Sequence, residues 1–200
     1  MNISELPGIG QPLNGGFFAG KINCEGKNFA IIVAPKAAGF KSGIQWGGAG
    51  NLTSATSYND GSINTLALAE SNHDLGHWAL ALNLNEFNDW YIPSRDELEI
   101  IYRNLKPGSE NNCCSFRDGE NPSAIEYSER FPYTPALPAQ TIAPEFQADG
   151  SEAFEGVWHW SSTQYSAHGA WLQDFDDGYQ YGSHKHGTCA ARAVRRELII

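Results

Sequence analysis

Residues 158–196 read WHWSSTQYSAHGAWLQDFDDGYQYGSHKHGTCAARAVRR. Trp171, Gln173 and Phe175 lie two apart, so an extended strand points all three to one face, with Leu172 and Asp174 on the other and Ala170 at its edge. Farther on, Gly178 and Gln180 are interleaved with Tyr179 and Tyr181. One set is aromatic, Gly or Gln, which suits packing and backbone pairing. The other mixes Leu, Asp, Tyr, Ser, His, Gly and Thr with no shared chemistry. A face without a common theme is either idle solvent surface or a surface whose composition is its purpose.

The rest of the 200-residue chain bounds the alternatives. This length suffices for one domain with a real core. Abundant Gly (21 residues), many aromatics and few helix formers predict a loop-rich α+β or β protein. A net charge of −10 leaves no basic stripe for phosphates, so nucleic acid is not an expected partner. The one basic cluster, Arg192, Arg195 and Arg196, reads as strand-end residues. No apolar run reaches the length of a membrane helix, so no membrane insertion is expected. MNISELPGIGQ lacks the basic and apolar regions of a signal peptide, which predicts synthesis in a cytoplasm. Cys24, Cys113, Cys114 and Cys189 show no paired spacing and read as free thiols.

Along the chain, Phe17–Ile22 and Asn28–Ala34 flank a turn with Gly26, a hairpin signature. Residues 1–35 therefore read as a lead-in with a hairpin, and 36–200 as the main domain. Gly39 to Gly61 reads as irregular coil around Trp46. A helix is predicted from Ser62 or Asn64 to about Leu84, with SNHDLG able to interrupt it. His73 and His77 have ligand spacing but no accompanying Glu or third ligand, and read as surface and core-edge residues. Asp89–Pro93 reads as a short strand. Ser94 with Glu97 then forms a capping box. Leu98, Ile101, Tyr102 and Leu105 give the following helix one buried face, and Pro107-Gly108 ends it. The acidic residues of its first turn, with Glu99, are explained by the helix dipole rather than by acid–base catalysis. Residues 108–156 form a long polar insertion, expected to be pinned by Phe131, Tyr133, Ile142 and Phe146.

Four ordered motifs then carry a resemblance: NDG-SINTLALAESNHDLGHWAL, DWYIPSRDELEIIYRNLKPG, WHWSSTQYSAHGAWLQDFDDG and ARAVRR. Together they resemble the Legionella collagen-like protein C-terminal domain family, with members in phages, prophages and bacterial surface proteins. GGFFAGKI–GKNFAIIVAP is similar to the lead-in hairpin of phage-encoded members. The resemblance implies an α+β, C-type-lectin-like fold of the formylglycine-generating-enzyme branch, with two helices and small antiparallel sheets. It also implies tied N- and C-terminal strands and a ligand surface from the last sheet.

The tail is, further, similar to the variable region of proteins diversified by retroelements, where template adenines in AAC or AAT codons are replaced. Such codons never give Lys, Gln, Glu, Met or Trp. None of these occurs at Tyr165, Ser166, Ala167, His168, Gly169, Leu172, Asp174, Asp176, Asp177, Tyr179, Tyr181, Gly182, Ser183, His184, His186, Gly187, Thr188, Cys189 or Ala190. These nineteen positions are the expected ligand-binding surface, with the three tyrosines as anchors. Trp171, Gln173, Phe175, Gly178, Gln180 and Lys185 are the expected scaffold, with Trp171 in the core. The expected partner is a host-surface protein or glycan, met from a virion tail or cell-surface structure alongside other tail proteins. The alternative is a polar outer sheet face, as in a non-diversified lectin-like adhesin.

Other chemistry fits less well. Asp174–Gly178 lacks the ligand spacing of a calcium loop. His184, His186 and Cys189 fall at positions expected to vary, a poor place for a metal site. A formylglycine-generating-type oxidase needs paired active-site cysteines, and Ser161-Ser162 has no nucleophile elbow. No enzyme activity, cofactor or metal is expected.

Overall fold

The computed structural model describes residues 1–114 and 117–200; residues 115 and 116 of the long insertion lie outside the described residues. Among the described residues two sheets and four α-helices make up a mixed α+β fold. The first sheet joins β1 (Pro12–Leu13), β2 (Gly16–Cys24), β3 (Lys27–Val33) and β9 (Val194–Leu198), in that order. The β2–β3 hairpin forms as its sequence predicts. Glu25 and Gly26 both turn at positive φ, 51° and 77°, as a two-residue hairpin loop demands. On its other side β3 pairs with β9 through five register pairs, tying the two ends of the chain together.

The second sheet runs β4 (Phe40–Gln45), β8 (Thr188–Arg192), β5 (Trp158–Gln164), β6 (Gly169–Asp174) and β7 (Gln180–His184). β4 corrects the expectation of coil from Gly39 to Gly61. Only Ile44 of its six residues is buried, and an irregularity between Lys41 and Ile44 removes any alternation. Asp89–Pro93 is likewise not a strand, contributing a single bridge from Tyr91 to Val194.

The helices are α1 (Lys36–Gly39), α2 (Gly61–Glu70), α3 (Asp74–Leu80) and α4 (Arg95–Leu105). Four stand where two were expected. The helix predicted over 62–84 is broken at Asn72, whose φ is +59°. Asp60, rather than Ser62 or Asn64, caps α2, accepting from the amides of Ser62 and Ile63. His73 stands at the N-cap position of α3, outside the helix and with no side-chain capping bond, so His73 and His77 share no helix face. His73 is buried against Trp46, and its Nδ1 accepts from the Gly48 amide at 3.3 Å.

Helix α4 has the capping box read from sequence: Ser94 accepts from the Glu97 amide while Glu97 accepts from the Ser94 amide. It does not bury one face; nine of its eleven residues are buried, Arg95, Asp96, Glu97 and Glu99 among them. Its apolar side joins Ile22, Ile31, Phe146 and Phe175 in one core. A second core gathers Trp46, Leu68, Leu75, Ile92 and Trp160 between α2, α3 and the second sheet.

The buried carboxylates hold the chain around α4. Glu97 accepts from the Tyr91 hydroxyl and from the amides of Ser94 and Gly61, at 2.7, 2.7 and 3.0 Å. Glu99 accepts from Arg103, Tyr133 and Asn121, and burial raises its pKa to about 7. These bonds, more than the helix dipole, account for the acidic residues. They also pin the 108–156 insertion, of which Tyr133 and Phe146 are buried as expected. Phe131 and Ile142 are exposed instead; Asn112, Asn121 and Phe154 take their place. Arg192, read as a strand-end residue, is buried and paired with Glu152 of the same insertion.

Candidate functional site

In the second sheet β6 lies between β5 and β7, and β7 forms the outer edge. Register pairs place Trp158 opposite Asp174, Trp160 opposite Leu172, and Leu172 opposite Tyr181, all on one face. His159, Gln173 and Gln180 share the other face, which meets α4 and the insertion. The alternation read from sequence is therefore real for this strand. Phe175, Gly178, Gln173, Gln180 and Lys185 are all buried. Lys185 donates to the Asn51 carbonyl and to Gln164, each at 2.7 Å, above the Trp46 ring. Burial lowers its pKa to about 8.

Trp171 corrects the expectation of a core aromatic. It is half-buried, its ring meeting the Tyr165 edge at 5.0 Å and the Arg95 guanidinium at 4.9 Å. Arg95 in turn is buried and donates to Gln180 at 2.6 Å. A cavity of about 210 Å³ lies here, bordered by Tyr58, Arg95, Arg117, Trp171, Tyr179 and Gln180.

Sixteen of the nineteen mixed positions reach the surface, in four places. At one end of the sheet Tyr165, Ser166, Ala167 and His168 form the β5–β6 turn, beside His184, Lys185, His186 and Gly187 of the β7–β8 turn. The Lys185 amide donates to the His168 carbonyl and joins the two turns. Tyr165 lies over Gly182, where a Cβ would come within 2.7 Å of its ring. The His184 and His186 rings stack at 5.4 Å. At the opposite end Asp174, Asp176 and Asp177 form the β6–β7 turn. Asp174 accepts from the Asp176 amide and Asp177 from the Tyr179 amide, so these carboxylates cap a turn. Among the described residues no group of three or more His, Cys, Asp or Glu is arranged to hold a metal ion. Ser161 and Ser162 are likewise occupied, donating to the carbonyls of Trp171 and Pro93.

Between these ends lies the face itself. Tyr181 is 55% exposed, stacks on Tyr179 at 6.3 Å, and Tyr179 meets Trp158 edge-on at 6.2 Å. Ser183 follows on this face of β7, whereas Gly182 pairs with Trp171 on the opposite face; both are half-buried. Three of the nineteen are not surface residues: Gly169 is buried, and Leu172 and Ala190 are each 4% exposed. Leu172 points to the expected face, but that face is covered at this point by the second core.

The two remaining positions, Thr188 and Cys189, border a groove of about 560 Å³ with Phe40, Val157, Trp158 and the buried Ala190. The sequence reading missed Phe40, Val157 and Trp158. Only Trp158 left a trace, since its two-residue spacing from Trp160 places it on the same face as Tyr181. Burial pushes the Cys189 thiol up to about 11, so it is protonated at neutral pH. All four cysteines are free.

Among the described residues no helix is long and apolar enough to cross a membrane. No curated protein matches the chain in sequence. The model of the Lcl C-terminal domain matches residues 40–195, from the first strand of the second sheet into β9, and the chain belongs to that family.

Proposed function

We propose that this protein is a receptor-binding module of a phage or prophage, with a C-type-lectin-like fold and a surface diversified over residues 165–190. Its family is one of ligand-binding, adhesin-like domains. One observation carries the finer reading. Most of the mixed positions are exposed or half-exposed, whereas the interleaved Gln173, Phe175, Gly178, Gln180 and Lys185 are buried. Such a division lets the surface change without cost to the core. The pairing of β3 with β9 and the loop-rich α+β architecture are the supports for the lectin-like fold. The exposed Tyr165 and Tyr181 offer large amphipathic area, and Ser, His and Gly around them supply adaptable hydrogen bonds. The ligand would be a protein or glycan on a host surface, and the module would sit on a virion tail or surface structure. It binds and does not catalyse.

A second reading is a fixed adhesin of the same fold. Burial of Gly169, Leu172 and Ala190 favours it, because random change at a core position is destabilising. Sequencing the locus from sister genomes separates the two. Differences concentrated in codons 165–190, at adenines of a nearby template copy, support diversification; an invariant segment without a template leaves the fixed adhesin. Binding itself is tested on intact host cells. Tyr181→Ala is expected to abolish attachment without lowering the melting temperature, and full attachment by this variant would overturn the assignment of the face.

A further inference from the structure

β5 and β8 run parallel but share one register pair, His159 with Ala190. On the N-terminal side of that pair Val157 and Trp158 face Thr188 and Cys189 across the groove described above. The sheet is split there rather than closed. We propose that this groove receives one large apolar side chain of a protein receptor, carried on an extended segment with a basic residue beside it. The inference rests on the receptor-binding reading and adds the chemistry of the partner.

Four observations support it. The walls are hydrocarbon: Phe40, Val157, Trp158 and Ala190 with the protonated Cys189 thiol. A sugar ring needs converging donors and acceptors for its hydroxyls. The polar side chains here are only Ser42, Thr188 and Glu155, and Glu155 is held by Lys36 at 2.7 Å. An apolar group is therefore the better occupant. Second, the β6–β7 turn on the Trp158 side of the groove is acidic. Asp174 stands opposite Trp158, and Asp176 comes within 3.7 Å of where a Gly156 Cβ would lie. Among the described residues none of Asp174, Asp176 and Asp177 has a Lys or Arg at salt-bridge distance. Burial and the two neighbouring carboxylates raise the Asp174 pKa, a crowding that a cation from the partner would relieve. Third, Trp158, Tyr179 and Tyr181 form an aromatic row leading away from the groove, and aromatic faces attract cations. Fourth, β4 is an outer strand of the sheet, with exposed Ser42 and Gly43 at its irregularity, so an extended segment has an edge to lie along.

The test uses the full chain and three capped peptides: acetyl-Lys-Trp-Lys-amide, acetyl-Glu-Trp-Glu-amide and acetyl-Lys-Ala-Lys-amide. Methyl glycosides of glucose, mannose and galactose serve as the glycan arm. Amide and indole NMR shifts of Trp158, Cys189 and Ala190 report occupancy. Lys-Trp-Lys is expected to saturate these shifts with a Kd at least tenfold below those of the other two peptides. Ser42→Trp, an exposed position at the groove, should weaken it at least tenfold with an unchanged melting temperature. Asp176→Asn should weaken it severalfold. Shifts produced by a glycoside and not by the peptides would overturn the proposal, as would equal binding to Ser42→Trp. Host-cell attachment separates this inference from the reading beneath it. Loss with Tyr181→Ala but not with Ser42→Trp sinks the groove and leaves receptor binding standing. Full attachment by both variants sinks receptor binding, and the peptide titration alone then decides the groove.

Discussion

Phe175 and Tyr181 belong to the same aromatic-rich tail, yet their surroundings set opposite fates. Phe175 is fully buried, stacked on Phe154 at 4.3 Å and met edge-on by Tyr102. Phe175→Ala should cost about 3–5 kcal/mol of stability, as large-to-small changes in a packed core do. Tyr181→Ala, at an open site, should change stability by no more than about 0.5 kcal/mol. Urea denaturation of the two variants checks this, and equal losses would refute the assignment of faces. Trp171→Ala should fall between them, because it strips one wall from the Arg95 guanidinium without opening the core. A second residue-scale test uses pH. Glu99 has its pKa raised to about 7 from 4.5 by burial, so between those values the folded state holds a proton that the unfolded chain has released. Its contribution favours folding in acid and is lost as pH rises from 4.5 through 7. His159 acts in the opposite direction. Burial lowers its pKa to about 4 from 6.5, so the unfolded chain gains the proton first and stability falls as pH drops from 6.5 to 4. Glu99→Gln removes the first effect alone. Relative to the unmodified protein its stability should climb with pH between 4.5 and 7, by at most roughly 1.4 kcal/mol per pH unit. A difference that stays flat would mean that Glu99 keeps one protonation state in both folded and unfolded chains.

Helix α4 shows how far an element can be read from its own residues. Its start, its capping box and the stripe of Leu98, Ile101, Tyr102 and Leu105 depend on neighbours three or four positions away, and all were legible. The burial of Arg95, Asp96, Glu97 and Glu99 was not. Their partners come from Gly61, Tyr91, Asn121, Tyr133 and Gln180, which no local period connects to the helix. The same limit hid β4, a strand whose pairing with β8 is set by its partner and not by its own alternation. The capping box can be dissected on this basis. Ser94→Ala removes one cap acceptor and should cost about 1 kcal/mol. Glu97→Ala strands the Tyr91 hydroxyl and the amides of Gly61 and Ser94 in a dry interior, and should cost on the order of 3–5 kcal/mol. Chemical denaturation distinguishes them; similar losses would reduce Glu97 to an ordinary capping residue.

At the scale of the whole molecule, the chain ends decide whether the display surface stands. The alternation in residues 158–196 was legible because it is local. The split between β5 and β8 was not, since a single parallel register pair leaves no periodic mark on either strand. Nor does any local pattern reveal that β9 closes the sheet begun by the N-terminal hairpin. That closure has several independent ties: five register pairs with β3, the Tyr91–Val194 bridge, and the ion pairs of Arg195 with Asp89 and Arg196 with Asp60. Ending the chain after Ala193 removes all of them while leaving every one of the nineteen mixed positions in the chain. Such a truncation should lose its cooperative thermal transition and expose residues 158–192 to protease, because Ile31, Ile32 and Val33 would face water along an unpaired edge. Removing residues 1–6, none of which is buried, should instead leave the transition within a few degrees of that of the full chain. Calorimetry on the two truncations gives the comparison. A cooperative transition in the first, near that of the full chain, would show that the second sheet folds without the first and that the ligand surface is a self-sufficient unit.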